Sequence, residues 1–136
     1  MKTAALQPQL IRMIARYTRL YSDASGESHF EEVDAELSLD DFAPSTPPLG
    51  VSEYLPAERT AFFGGPSGWT GDWHVSSSRN LFVVISGEWE IEASDGTVRL
   101  FSANSVLLAE DTTGKGHRSR VVSEEDSIAL LVQLAD

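Results

Sequence analysis

The chain has 136 residues, 41% of them hydrophobic, a formal net charge of −11 and no cysteine. That length carries one core of ordinary size. The acid excess argues against nucleic acid and anionic membrane as partners, since both need a basic footprint, and the lack of cysteine removes disulfides, thiolate metal sites and a thiol nucleophile.

Residues 1–22 are basic and read two ways. Leu6, Leu10, Ile14, Tyr17 and Tyr21 recur at helical spacing, yet residues 14–21 are also rich in β-branched and aromatic side chains. Residues 1–10 lack the apolar segment of a leader peptide, and no apolar run approaches a bilayer span, so the expected setting is cytoplasmic. Asp23-Ala24-Ser25-Gly26 is a turn, and from Val33 to Leu39 apolar and polar residues alternate. The simplest reading of residues 14–39 is a strand hairpin after a short helical turn; residues 6–13 fit either helix or strand. Charge supports the hairpin. Lys2, Arg12, Arg16 and Arg19 precede the turn without an acid, and Asp23, Glu27, Glu31, Glu32, Asp34, Glu36, Asp40 and Asp41 follow without Lys or Arg.

Residues 43–50 hold Pro44, Pro47 and Pro48 and form a loop, because proline lacks the ladder donor. Short strands are expected at 51–55 and 59–63, a glycine-rich break at 64–68 and a further strand at 71–76. Residues 81–85, Leu-Phe-Val-Val-Ile, are a strand ended by Ser86-Gly87. Residues 88–93 alternate acids with Trp89, Ile91 and Ala93, and Asp95-Gly96 turns the chain into a strand beginning at Thr97. Residues 106–108, 117–122 and 128–134 are the remaining strand candidates. The pattern predicts one all-β domain over residues 1–136, a sandwich or barrel of roughly eight to eleven strands. Residues 14–39 are its N-terminal hairpin and residues 71–134 its barrel core.

The central stretch resembles the cupin family of small jelly-roll barrels, which carry two histidine-bearing motifs separated by a strand pair. Gly87 ends the β run of the first motif and His74 stands at its first histidine, with Ser76 and Asn80 at the second histidine and the glutamate. In the second motif Thr112 replaces the usual proline, and Gly114 and His117 match. The run DTTGKGH, with Trp73-His74 upstream, is similar to a group of small single-domain bacterial cupins. The resemblance implies a cupin-like jelly-roll β-barrel with a site inside it.

Within that barrel, alternation puts Asn80, Phe82 and Val84 on one face, His74 and Ser76 on one face, and His117 and Ser119 on one face, with Arg118 and Arg120 left to solvent. The expected ligand pocket is therefore His74, Ser76, Asn80, Phe82, Val84, His117 and Ser119, an apolar site with a few polar groups. His74 and His117 are the candidate ligands of a divalent metal (Fe, Mn, Ni or Zn), with Asp111 or Glu110 as third ligand or general base. Residues 111–116 read as a shaped turn that aims His117 inward; their spacing is not that of a phosphate loop. His29 reads as an ordinary surface histidine.

Three functions are compatible with these residues: a small-molecule-binding cupin with a depleted metal-ligand set, serving as a sensor or accessory protein; a metal-dependent enzyme acting on a small organic acid or sugar derivative; and a structural dimer module. The first is favoured by the missing ligands. A homodimer is expected because inward Phe82 and Val84 leave Leu81, Val83 and Ile85 on the opposite face, which a partner, the 14–39 hairpin as a second layer, or both must cover.

Overall fold

A computed structural model describes residues 12–136. Of the stretch 6–13, read as either helix or strand, residues 6–11 lie outside the described residues and Met13 is in a strand. Among the described residues there is no helix, and so none long and apolar enough to cross a membrane. Ten strands run in order: β1 (Met13–Ser22), β2 (Ser28–Asp40), β3 (Leu49–Val51), β4 (Ala57–Gly65), β5 (Asn80–Ser86), β6 (Trp89–Ala93), β7 (Val98–Phe101), β8 (Val106–Ala109), β9 (His117–Val121) and β10 (Ser127–Leu134).

They form a seven-stranded sheet in the order β3-β2-β1-β8-β5-β10-β4 and a three-stranded sheet in the order β7-β6-β9. The all-β jelly-roll expectation holds, but the ladders do not join into a ring: the two sheets face each other as layers. Leu20, Val84 and Leu107 from the large sheet meet Trp89, Ile91, Ala93, Phe101 and Val121 from the small one, with Phe30 and Phe82 packed against them. On β6 the alternation works as read. Trp89, Ile91 and Ala93 are buried, while Glu90 and Glu92 face their register partners Arg120 and Arg118 at 2.7 and 2.8 Å. Those arginines are thus paired across the ladder and are not simply solvated.

The β1–β2 hairpin follows from its turn and its charges. Asp23 Oδ1 accepts the backbone N–H of Ser25 at 2.8 Å and of Glu27 at 3.1 Å, a side-chain bonded turn. Arg16 stands opposite Asp34 and Arg19 opposite Glu31, each joined by an ion pair of 2.7 and 3.1 Å. The hairpin does not fold over the sheet as a second layer. β1 pairs in parallel with β8, so the hairpin extends the large sheet in its own plane.

Two expected strands are missing. Residues 52–55 leave the ladder after Val51, just ahead of Pro56, and only Leu49–Val51 pairs, with β2. Residues 71–76 form no strand; the segment is tied to β9 by isolated bridges, Thr70 to Arg120 and His74 to His117. Gly71 donates its N–H to the Ser119 carbonyl between those bridges.

Candidate functional site

His74 and His117 are brought together by main chain. His74 N–H donates to the His117 carbonyl and His117 N–H to the His74 carbonyl, both at 2.9 Å. Residues that exchange both bonds in an antiparallel bridge put their side chains on one face, and the two imidazole centroids lie 4.6 Å apart. The glycine-rich turn makes this approach feasible. Gly116 has φ +72°, and a Cβ there would sit 2.1 Å from the His74 carbonyl oxygen.

Each imidazole is fixed through Nδ1. His74 Nδ1 lies 2.8 Å from the Asp72 carbonyl oxygen, which can only accept, so this nitrogen carries the proton. His117 Nδ1 lies 2.5 Å from Asp111 Oδ2. The other oxygen of Asp111 accepts the Ser76 hydroxyl at 2.8 Å, and the Ser76 N–H donates to the Asp111 carbonyl at 3.0 Å. Asp111 is completely buried, with Ser76 and His117 nearly so. The hydrogen bonds place a proton on each Nδ1, and in a neutral ring Nε2 then keeps its lone pair.

These rings form one side of a cavity of about 110 Å³ between the sheets. Phe82, Val84, Leu107, Ala109 and Ala129 line it from the large sheet, and Trp89, Ile91 and Phe101 from the small one; Phe63 and Trp69 complete the apolar wall, while Ser119 sits beside His117. The aromatic residues pack in a chain: Phe63 edge-on to Phe82 at 5.2 Å, Phe63 stacked on Trp89 at 6.0 Å, and Trp69 edge-on to Trp89 at 5.8 Å. Phe63, Trp69 and His74 are exposed, which places the mouth at that end.

Of the expected pocket, His74, Phe82, Val84, His117 and Ser119 line the cavity. Ser76 does not: it sits behind His117, holding Asp111. Asn80 does not either: its side-chain amide turns back to the Ser78 carbonyl at 3.1 Å, at the start of β5. Asp111 is not poised as a third ligand, because both its oxygens are taken by Ser76 and His117. Glu110 is held elsewhere, by Arg19 at 2.5 Å and Arg79 at 2.6 Å. Partial burial pushes the Glu110 carboxyl up, but the two guanidinium groups outweigh it and keep it below the ordinary carboxylate range. The donor set for a metal therefore comes to two imidazoles. Among the described residues no three His, Cys, Asp or Glu side chains gather as a metal site. Two donors do not fit the three or four protein ligands that a resident transition metal takes.

Sequence reasoning left Phe63, Trp69, Trp89, Ile91, Phe101, Leu107, Ala109 and Ala129 out of the expected pocket. The signal was present on β10 and β8, where alternation assigns one face to Ala129 and Leu131 and another to Leu130 and Val132, but nothing in one sequence tells a packed inner face from a hollow one. His29 lies at the surface, as expected, and has two partners there. Its Nε2 lies 2.7 Å from Asp23 and its Nδ1 2.9 Å from Asp95, so it bridges the β1–β2 turn and the β6–β7 turn.

No family model matches the chain, and no curated protein matches it. Among solved structures it is similar to protein NMB1881 from Neisseria meningitidis, at 18% identity over 62% of this chain and 89% of that one, with a TM-score of 0.42. It is also similar to the Schizosaccharomyces pombe Cnp3 cupin domain, at 15% identity over 99% of this chain and 89% of that one, with a TM-score of 0.48.

Proposed function

We propose that this chain is a small-molecule-binding protein of the cupin type whose ligand enters the cavity beside His74 and His117. The observation that carries this reading is a hollow of about 110 Å³ at the centre of the core, open at one end and polar on one side only. Packed interiors rarely leave such space undirected. A titration with a small apolar probe tests it. Toluene should shift the indole N–H signals of Trp69 and Trp89 in a saturable, one-to-one manner. Ala129→Leu, which fills the floor, should abolish the effect. No saturable shift up to the solubility of toluene would end the reading.

We also propose that the protein is a homodimer joined through the outer face of the large sheet. Leu81, Val83, Leu130 and Val132 are only half covered there, Ile85 is 50% exposed and Phe62 76% exposed. Among the described residues the β1–β2 hairpin lies beside this face in the same sheet, which supports a second chain as its cover.

A further inference from the structure

We propose that the polar wall of the cavity selects a neutral apolar molecule the size of one benzene ring that carries a hydroxyl, phenol being the simplest member, and that His117 Nε2 accepts its O–H. This rests on the cavity being the binding site and adds which chemistry it takes.

Size comes first. A dry cavity of about 150 Å³ in another protein is known to hold benzene. The present one, at about 110 Å³ and open at its mouth, takes a single ring and leaves no room for a fused pair. Aromatic walls on both sheets suit the faces of such a ring.

Polarity comes next. Among the described residues, the side chains that bring N or O atoms to the cavity lining are His74, His117, Ser119 and the indoles of Trp69 and Trp89. Both imidazoles spend Nδ1–H on oxygens outside it, Asp72 and Asp111, so each ring in its neutral form offers Nε2 as an acceptor. Two neighbouring acceptors on an apolar wall call for a donor on the ligand. Among the described residues no Lys or Arg lines the cavity, and the chain carries a net charge of −11, which disfavours an anion there. An ammonium group fares little better. The carboxylate next to His117, Asp111, is fully buried behind the ring and already bonded twice, and no Asp or Glu among the described residues lines the cavity to serve as counter-charge. A neutral O–H satisfies an acceptor without burying charge.

Asp111 is a positioning residue in this scheme. Its carboxylate holds the Nδ1–H tautomer of His117 and makes Nε2 the better acceptor. Ser76 fixes the second carboxylate oxygen and so the direction of the first.

The test compares toluene, phenol and benzylammonium by NMR titration of the full chain labelled with 15N. Phenol should bind about tenfold more tightly than toluene, the gain expected of one buried hydrogen bond. Benzylammonium should bind no better than toluene. Ring 15N shifts should place the His117 proton on Nδ1 in the free protein, and phenol should perturb Nε2. Asp111→Asn, whose amide can donate to Nδ1, should move the ring proton to Nε2 and bring the phenol-to-toluene ratio towards one. Should Asp111→Asn fail to fold, His117→Leu gives the same comparison, since the backbone bridge to residue 74 does not need the imidazole. Toluene binding with phenol no tighter overturns this inference and leaves the cavity reading standing. Benzylammonium binding tighter than phenol also overturns it. Failure of toluene and phenol alike sinks the cavity reading itself.

Discussion

Asp111 Oδ2 lies 2.5 Å from His117 Nδ1, and the carboxylate that makes this bond has no exposure to solvent. A buried carboxylate with both oxygens bonded is costly to disturb, because removing it leaves a hydroxyl and an imidazole N–H without partners. Asp111→Ala should lower folding stability by about 3 kcal/mol, read as a fall in the urea midpoint. A variant as stable as the parent would show that the pair is not formed in solution.

Gly116→Ala tests the turn. A side chain at φ +72° is strained, and its Cβ would meet the His74 carbonyl. The expected loss is about 2 kcal/mol or more, with the largest amide shifts at residues 74 and 117. Gly96→Ala is the control: it is also at positive φ, but a Cβ there meets nothing within 4 Å. Equal losses in the two variants would mean that strain alone, without the close approach, accounts for the effect.

His29 gives stability a pH dependence with a definite sign. Donating to Asp23 and then to Asp95 raises it above its ordinary value of 6.5. The bond to His29, reinforced by Ser25, holds Asp23 well below its ordinary value of 3.8. A raised histidine contributes fully below its unfolded value and loses that contribution as pH rises through the folded one. A depressed carboxylate contributes above its unfolded value and loses it as pH falls through the folded one. The clamp therefore works fully between about pH 4 and about pH 6.5. The difference in urea midpoint between the parent and His29→Gln should be greatest in that window and shrink on the alkaline side. A difference constant from pH 5 to pH 9 would refute the charged clamp.

Light scattering coupled to size exclusion should give about twice the 14.8 kDa of the single chain. Val83→Glu places a charge in the middle of the outer apolar face and should yield monomer or insoluble protein. A parent mass of 14.8 kDa across micromolar concentrations would refute the dimer.

Strand positions were legible in the sequence wherever one face is wet and the other dry. Residues 88–93 and 33–39 alternate because their outer faces carry Glu and Asp, and β6 and β2 follow the pattern. Residues 52–55 and 71–76 look just as strand-like locally, but a strand needs a neighbour's edge, and that depends on the whole chain. The pairing of His74 with His117 could be anticipated from the motif order. The role of Asp111 could not. The sequence offers it, with Glu110, as a third ligand or general base, and only its burial between Ser76 and His117 makes it a support for the imidazole. Asn80 misled for the converse reason: its place on the inward face of β5 was sound, but the amide found a nearer partner in its own chain at Ser78.

The bridge between residues 74 and 117 has one more consequence. Four backbone atoms, none of them belonging to a side chain, hold the two positions together. The chemistry of the site is therefore separable from its scaffold. A carboxylate, an amide or a thiol installed at residue 74 would arrive at the same distance from residue 117 without a new fold having to be found. For evolution or for design this is a socket with two interchangeable contacts, and the present pair of histidines is one setting of it.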